Sequence, residues 1–233
     1  MSAWSSYWKQ LEPPADITSP QVRVGRVSNQ VPISEEFWQQ TVRKIVLLLD
    51  LDESSRVLDL AGGNGLFSRS LNTADGFAIC ADLSHSLLLD AQSQSLTTVE
   101  CDLRALPFAN NSFDAIVLYA ALQYLEEDEV TTLFKRCKEI LGDGGRLFVG
   151  DIPDINRRFD YFNDNARRQK YFDSLTGPRP MIGTWFASDW IRHCLEYSGF
   201  ENVQILEQSQ WEPYREFRFD VFAQNLKDLK TWN

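Results

Sequence analysis

Histidine is nearly absent from this chain, with two residues, His85 and His193, among 233. A metal centre or general base built on imidazole has little to draw on. Cysteine is also sparse: Cys80, Cys101, Cys137 and Cys194 are widely spaced, with no CxxC pair and no His at ligand spacing. Each lies in an apolar stretch, which argues against a disulfide framework or a metal cluster and predicts buried, reduced thiols. Basic residues are outnumbered, 23 Lys and Arg against 33 Asp and Glu, for a net charge of −10. Such a surface repels a phosphate backbone and argues against nucleic acid as the main partner. No uncharged apolar run is long enough to span a bilayer, and the opening "MSAWSSYWKQLEPPAD" lacks a basic stretch followed by an apolar one. The expectation is a cytoplasmic protein with no metal and no membrane partner.

What is present suits one sizeable core, since 43% of the residues are hydrophobic. After a proline-rich start, "ISEEFWQQTVRKIVLLLD" sets Trp38, Val42, Ile45 and Leu49 on one face, with Ser34 as N-cap and Glu35 and Glu36 at the positive helix end. Short apolar runs follow, "RVLDLA", "GFAICAD" and "TTVEC", separated by "GLFSRSL" and "SHSLLLDAQS". That alternation predicts a parallel sheet with crossover helices. "FDAIVLYA", a helical "EDEVTTLFKRCKEIL" stopped by Gly142, and "RLFVGD" extend the pattern. "SDWIRHCLEYSGF" reads as a helix capped by Ser188, and "NVQILEQ" with "EFRFDVFA" as a closing antiparallel hairpin. The fold class is α/β: a doubly wound, Rossmann-like, seven-stranded, mostly parallel sheet whose last strand is antiparallel. Residues 33–233 form one domain with a lid-like insertion at 151–187, and residues 1–32 pack on or over the ligand site.

"RVLDLAGGNGLFSRSL" carries glycine at 62, 63 and 65 between a strand and a helix. A turn that bare lets a ligand approach the main chain closely. Open parallel sheets bind ligands at the carboxyl ends of their strands, and Asp59, Asp82 and Asp102 end three successive strands. A dinucleotide fingerprint is incomplete here, because Phe67 and Ser68 stand where its last glycine falls, so a pyrophosphate lacks its cradle.

"VLDLAGGNG", "CADLS" and "CDLRALPFANNSFDAIVLYAALQYL" resemble, in order and spacing, the motifs of class I S-adenosylmethionine-dependent methyltransferases, over about residues 33–223. The resemblance implies S-adenosylmethionine as cofactor and S-adenosylhomocysteine as product. It implies that Gly63 and Gly65 pass close to the methionine moiety, that Asp59 orients its ammonium group, and that Asp82 accepts from both ribose hydroxyls. Leu83 would pack on adenine, Asp102 would take its amino group, the backbone of Leu103 would meet the ring, and Tyr119 would orient the cofactor. Ala61 stands where the family has the first glycine of the turn, which leaves that residue's contact open.

Methyl transfer from a sulfonium is an in-line displacement, so alignment and water exclusion achieve much, and a base is needed only for some acceptors. Where many relatives carry His after the fourth strand, this chain has Gln123 and Tyr124. Tyr124 and Asp151 are the catalytic candidates, because they follow strands at the ligand edge. Tyr124, Arg157, Arg158, Tyr161 and Tyr214 are the candidates for binding substrate. Residues 151–185 hold six basic and five acidic residues, a basic island in an acidic chain, interleaved with aromatics. Arginine forks suit phosphate or carboxylate, and aromatic faces suit sugar or base rings. An ordinary solvated surface of paired Arg and Asp is the plain alternative. "VRVGRVSNQVPISEEFW", "GDIPDINRRFDYFN", "IGTWF" and "YREFRFDVFA" are also similar to a subgroup of bacterial methyltransferases often encoded among surface-polysaccharide sugar genes. That implies methyl transfer to an O or N atom of a polar, anionic small molecule of sugar or nucleotide-sugar type. A protein or peptide methyltransferase and a non-catalytic S-adenosylmethionine-binding protein remain the alternatives.

Overall fold

The computed structural model describes residues 3–14, 16–28, 31–71, 77–177 and 181–226. In chain order these form α1 (Ala3–Lys9), α2 (Pro20–Arg23), β1 (Val27–Ser28), β2 (Val31–Pro32), α3 (Glu35–Leu48), β3 (Arg56–Leu60), α4 (Ser68–Leu71), β4 (Phe77–Asp82), α5 (His85–Gln92), β5 (Thr97–Glu100) and β6 (Phe113–Tyr119). There follow α6 (Glu127–Ile140), β7 (Leu141–Pro153), α7 (Arg158–Tyr161), α8 (Asn165–Leu175), α9 (Ser188–Tyr197), β8 (Glu201–Glu207) and β9 (Arg218–Gln224). Gly76 and Arg179, read above as part of a strand and of the basic island, lie outside the described residues.

Seven strands order as β5-β4-β3-β6-β7-β9-β8, and β9 is antiparallel to both of its neighbours. Both faces of the sheet are covered, which is why the central strands read as nearly continuous apolar runs. On β6, Ile116 and Leu118 pack with Val130, Phe134 and Cys137 of α6 and Ile191 and Leu195 of α9. The alternate residues Ala115 and Val117 pack with Trp38, Val42 and Ile45 of α3. Ser34 caps α3 as expected, its Oγ accepting the Phe37 N–H at 3.2 Å.

Two helix boundaries differ from expectation. α6 stops at Ile140 because Leu141 is already extended (φ −70°, ψ 134°) and pairs with Phe113, while Gly142 has no left-handed φ and is no C-cap. Ser188 lies inside α9 rather than capping it; Ala187 holds the cap position, without a side-chain bond. All four cysteines are free, and Cys80, Cys137 and Cys194 are buried.

The insertion between β7 and α9 has an aromatic core of Phe162, Tyr171 and Trp185, completed by Phe217 from just before β9. It packs on the short 3-10 turn Leu122–Tyr124, where the Thr184 N–H donates to the Gln123 carbonyl at 2.8 Å. The N-terminal segment is tied down at separate points. Arg23 pairs with Asp90 of α5 (2.6 and 3.0 Å), Asn64 donates to the Pro20 carbonyl (2.9 Å), Ser86 donates to the Leu11 carbonyl, and the Tyr214 hydroxyl donates to the Val27 carbonyl.

Candidate functional site

A cavity opens at the carboxyl ends of β3, β4 and β6, where open parallel sheets hold their ligands. Of the residues singled out from the sequence, Asp59, Ala61, Gly63, Asp82, Leu83, Asp102, Leu103, Tyr119 and Tyr124 line it.

Asp59, buried on β3, accepts the hydroxyl of Ser68 at 2.7 Å and its N–H at 3.2 Å through Oδ2. Burial raises its pKa to about 7 against the pull of these bonds. Asp82 ends β4 and is bonded on both oxygens, with Oδ2 accepting the Gly63 N–H (2.8 Å) and Oδ1 the Ser84 N–H (2.7 Å). Burial pushes its carboxyl upward while the backbone N–H groups hold it down. Asp102 Oδ1 accepts the backbone N–H and the guanidinium of Arg104, each at 3.0 Å, and Arg104 also grips Glu129.

Gly63 sits at φ +57°, where a Cβ would also lie 3.0 Å from Val24, so both backbone and packing ask for glycine. Gly65 does not line the cavity; it sits at φ +76°, and a Cβ there would also meet the Leu96 side chain at 2.3 Å, so its backbone conformation and its packing after α5 explain this glycine. Ala61 takes the place of a glycine at φ +52°, a left-handed conformation that a methyl group makes costly. Ala120 and Asp151, after β6 and on β7, are also left-handed (φ +58° and +63°), so three strand ends here carry backbone strain.

Tyr124 stands between two indoles, its ring centroid 4.7 Å from that of Trp4 and 5.1 Å from that of Trp8. Burial pushes its phenol up to about 12, which makes it a neutral donor and not a base. Asp151 lies off the cavity in a buried ion network. Its carboxylate pairs with Arg218 at 3.0 Å and accepts from Gln208 at 3.1 Å, while its N–H donates to Asp220. Lys44 on α3 holds Asp220 and Glu212 at 2.6 Å each.

The remaining substrate candidates also stand apart from the cavity wall. Arg157 pairs with Glu207 at 3.0 Å, Arg158 lies over the rings of Phe159 and Tyr171, Tyr161 belongs to the insertion's aromatic cluster, and Tyr214 binds the Val27 carbonyl. His85 and His193 are exposed, bonded to Glu100 and Glu196.

Sequence reading missed Trp4, Trp8, Arg26 and Trp38, all of which line the cavity. The density of Trp and Tyr in a polar N-terminal stretch was the available signal. Arg26 sits over two rings, its guanidinium carbon 4.2 Å from the centroid of Trp38 and 4.6 Å from that of Tyr119. Among the described residues no group of His, Cys, Asp and Glu could hold a metal ion, and no helix is long and apolar enough to cross a membrane.

A family model described as a methyltransferase domain matches residues 57–145. A demethylmenaquinone methyltransferase of Corynebacterium glutamicum (strain R) is 29% identical over 118 residues, covering 51% of this chain and 49% of that protein. The chain thus spans about half the length of the curated relatives it matches. Among solved structures, a SAM-dependent methyltransferase of Methanosarcina mazei superposes with a TM-score of 0.60 at 16% identity, covering 78% of this chain and 97% of the other. A phosphoethanolamine N-methyltransferase 2 of Haemonchus contortus, in complex with phosphomonomethylethanolamine and S-adenosylhomocysteine, gives 0.59 at 17% identity over 82% and 53%. The seven-stranded sheet has the fold of class I S-adenosylmethionine-dependent methyltransferases.

Proposed function

We propose that this protein is an S-adenosylmethionine-dependent methyltransferase that methylates an O or N atom of a polar, anionic small molecule of sugar or nucleotide-sugar type. The observation that carries the cofactor reading is the row of carboxylates, Asp59, Asp82 and Asp102, that lines one cavity beside a glycine turn. The residues fit that cofactor. Asp82 is fixed by two backbone N–H groups and keeps acceptor capacity for a diol, because an ionised carboxylate has about four lone-pair sites. Asp102 and the Leu103 backbone stand where adenine would be read, and Asp59 faces the amino-acid end. A bound cofactor would supply an activated methyl group on a sulfonium.

The chain's own part is alignment and exclusion of water. Trp4, Trp8 and Tyr124 offer aromatic faces for a sugar or base ring, and the neutral Tyr124 phenol can donate to an acceptor oxygen. The insertion, which packs on the turn that carries Tyr124, would bring Arg157 and Arg158 to the anionic group from beside the cavity, where Arg157 pairs with Glu207 and Arg158 lies over two rings. With Asp151 held by Arg218, an acceptor that needs no strong base fits best, such as a carboxylate or an amine arriving neutral.

Calorimetry with S-adenosylmethionine, S-adenosylhomocysteine and NAD tests the cofactor: binding of NAD alone would refute the reading. Transfer of labelled methyl to a panel of acidic sugars and nucleotide sugars tests the acceptor. Replacing Arg157 and Arg158 together with Ala should raise the acceptor's KM and leave cofactor affinity unchanged. An unchanged KM would count against the anionic acceptor.

A further inference from the structure

The cavity's charges are unevenly placed. Asp102 follows β5, Asp82 ends β4 and Asp59 lies near the end of β3, strands that are neighbours in the sheet, and the next strand is β6, ending in Tyr119. Four strand ends span about 14 Å at the usual spacing of about 4.8 Å. If adenine lies by Asp102 and ribose by Asp82, the amino-acid end of the cofactor falls by Asp59 and the end of β6. That end carries a carboxylate as well as an ammonium group, and a carboxylate in a cavity lined by three others requires a cation.

Two arginines line the cavity, Arg26 and Arg104. Arg104 is at the adenine end and already holds Asp102 and Glu129. Arg26 is at the other end, over the faces of Trp38 and Tyr119. Its Nε is buried without a hydrogen-bond partner among the described residues. The carboxylates on that side of the sheet are engaged by other cations, Asp151 by Arg218, and Asp220 and Glu212 by Lys44. A guanidinium fixed between rings, with donors to spare, is preorganised for a planar two-oxygen anion. Its backbone is held too, since the Arg26 N–H donates to the Gln21 carbonyl at 2.8 Å and Tyr214 ties down Val27.

We propose that Arg26 binds the carboxylate of the cofactor's amino-acid end, an inference that rests on the methyltransferase reading. The test is calorimetric binding of two ligands, S-adenosylhomocysteine and its decarboxylated analogue S-adenosyl-3-thiopropylamine, to the full chain and to Arg26→Met and Arg26→Lys. Met keeps apolar bulk between the rings, and Lys keeps the charge without the fork. The expected result is a loss of at least tenfold for S-adenosylhomocysteine in Arg26→Met and a smaller loss in Arg26→Lys. The decarboxylated analogue should bind all three forms within twofold, which also shows that the variants are folded. Equal losses for both ligands would make Arg26 a merely structural residue, and no loss for either would assign it to something other than the cofactor; each overturns the proposal. If the unmodified chain binds neither ligand, the methyltransferase reading itself fails.

Discussion

The carboxylate of Asp82, at the end of β4, accepts the backbone N–H of Gly63, in the turn after β3, at 2.8 Å. The residue read as the ribose ligand therefore also shapes the glycine turn. Two strands and the turn between them are locked into one unit before any ligand arrives.

Replacing Asp82 with Ala should accordingly weaken S-adenosylhomocysteine binding by about 1.5–3 kcal/mol, the range for charge-assisted hydrogen bonds. It should also lower the urea midpoint, since the Gly63 and Ser84 N–H groups lose their acceptor in a buried place. Asp102→Ala should cost less binding, because the Leu103 backbone still reads adenine. Titration calorimetry beside urea melts separates the two effects.

Asp59 gives a pH dependence whose sign is fixed by its raised pKa of about 7, against an ordinary value of 3.8. Between those values the folded state binds more protons than the unfolded one. Its contribution to stability is then complete at low pH and is lost as pH rises toward 7. Asp59→Asn should flatten the stability profile over that window in denaturant titrations at fixed pH steps. A cofactor ammonium group favours the ionised form, so S-adenosylhomocysteine should bind more tightly at pH 8 than at pH 6, and the variant should lose that difference.

Ala61 is strained at φ +52°. Relief of a left-handed conformation outweighs the extra freedom that glycine gives the unfolded chain, so Ala61→Gly should raise stability by about 0.5–1 kcal/mol. Urea denaturation at pH 8 measures this; a destabilised variant would mean that the alanine methyl packs better than its backbone suggests.

Lys44 is the cation for two carboxylates whose side chains are almost wholly buried, Glu212 at 1% and Asp220 at 0% exposed. Burial works against its charge, but the attraction of Asp220 and Glu212 prevails and raises its pKa. Lys44→Met strands both carboxylates and should cost about 3–5 kcal/mol. The triple change Lys44→Met, Glu212→Gln, Asp220→Asn should recover part of that loss, as read by thermal melts.

The sheet and the row of carboxylates were legible because they are local: apolar runs, glycines and strand-end acids sit within a few residues of one another. Residues 1–32 were expected on or over the ligand site, but which of their side chains line the cavity was not legible. α1 has seven residues and no long amphipathic stripe, and Trp4 and Trp8 find their place only against Tyr124, more than a hundred residues away. Asp151 is a catalytic candidate by position, yet its partners Arg218 and Asp220 arrive from β9, at separations of 67 and 69 residues. Arg26 was hidden for the same reason, since its rings come from α3 and β6. Local propensity cannot report which distant side chain completes a charge.

The place of β9 bears on the order in which the molecule is made. Among the described residues this last strand lies inside the sheet, between β7 and β8, and β8 has no other strand beside it. As the chain grows from its N-terminus, β8 emerges with neither edge paired, and Lys44, made early, waits for an acid 176 residues later. The sheet closes only when its final segment is complete, so the step that seals β8 to the rest is long-range and late. A chain stopped short of β9 would expose the open edge of β7, leave Lys44 without Asp220, and be a target for aggregation.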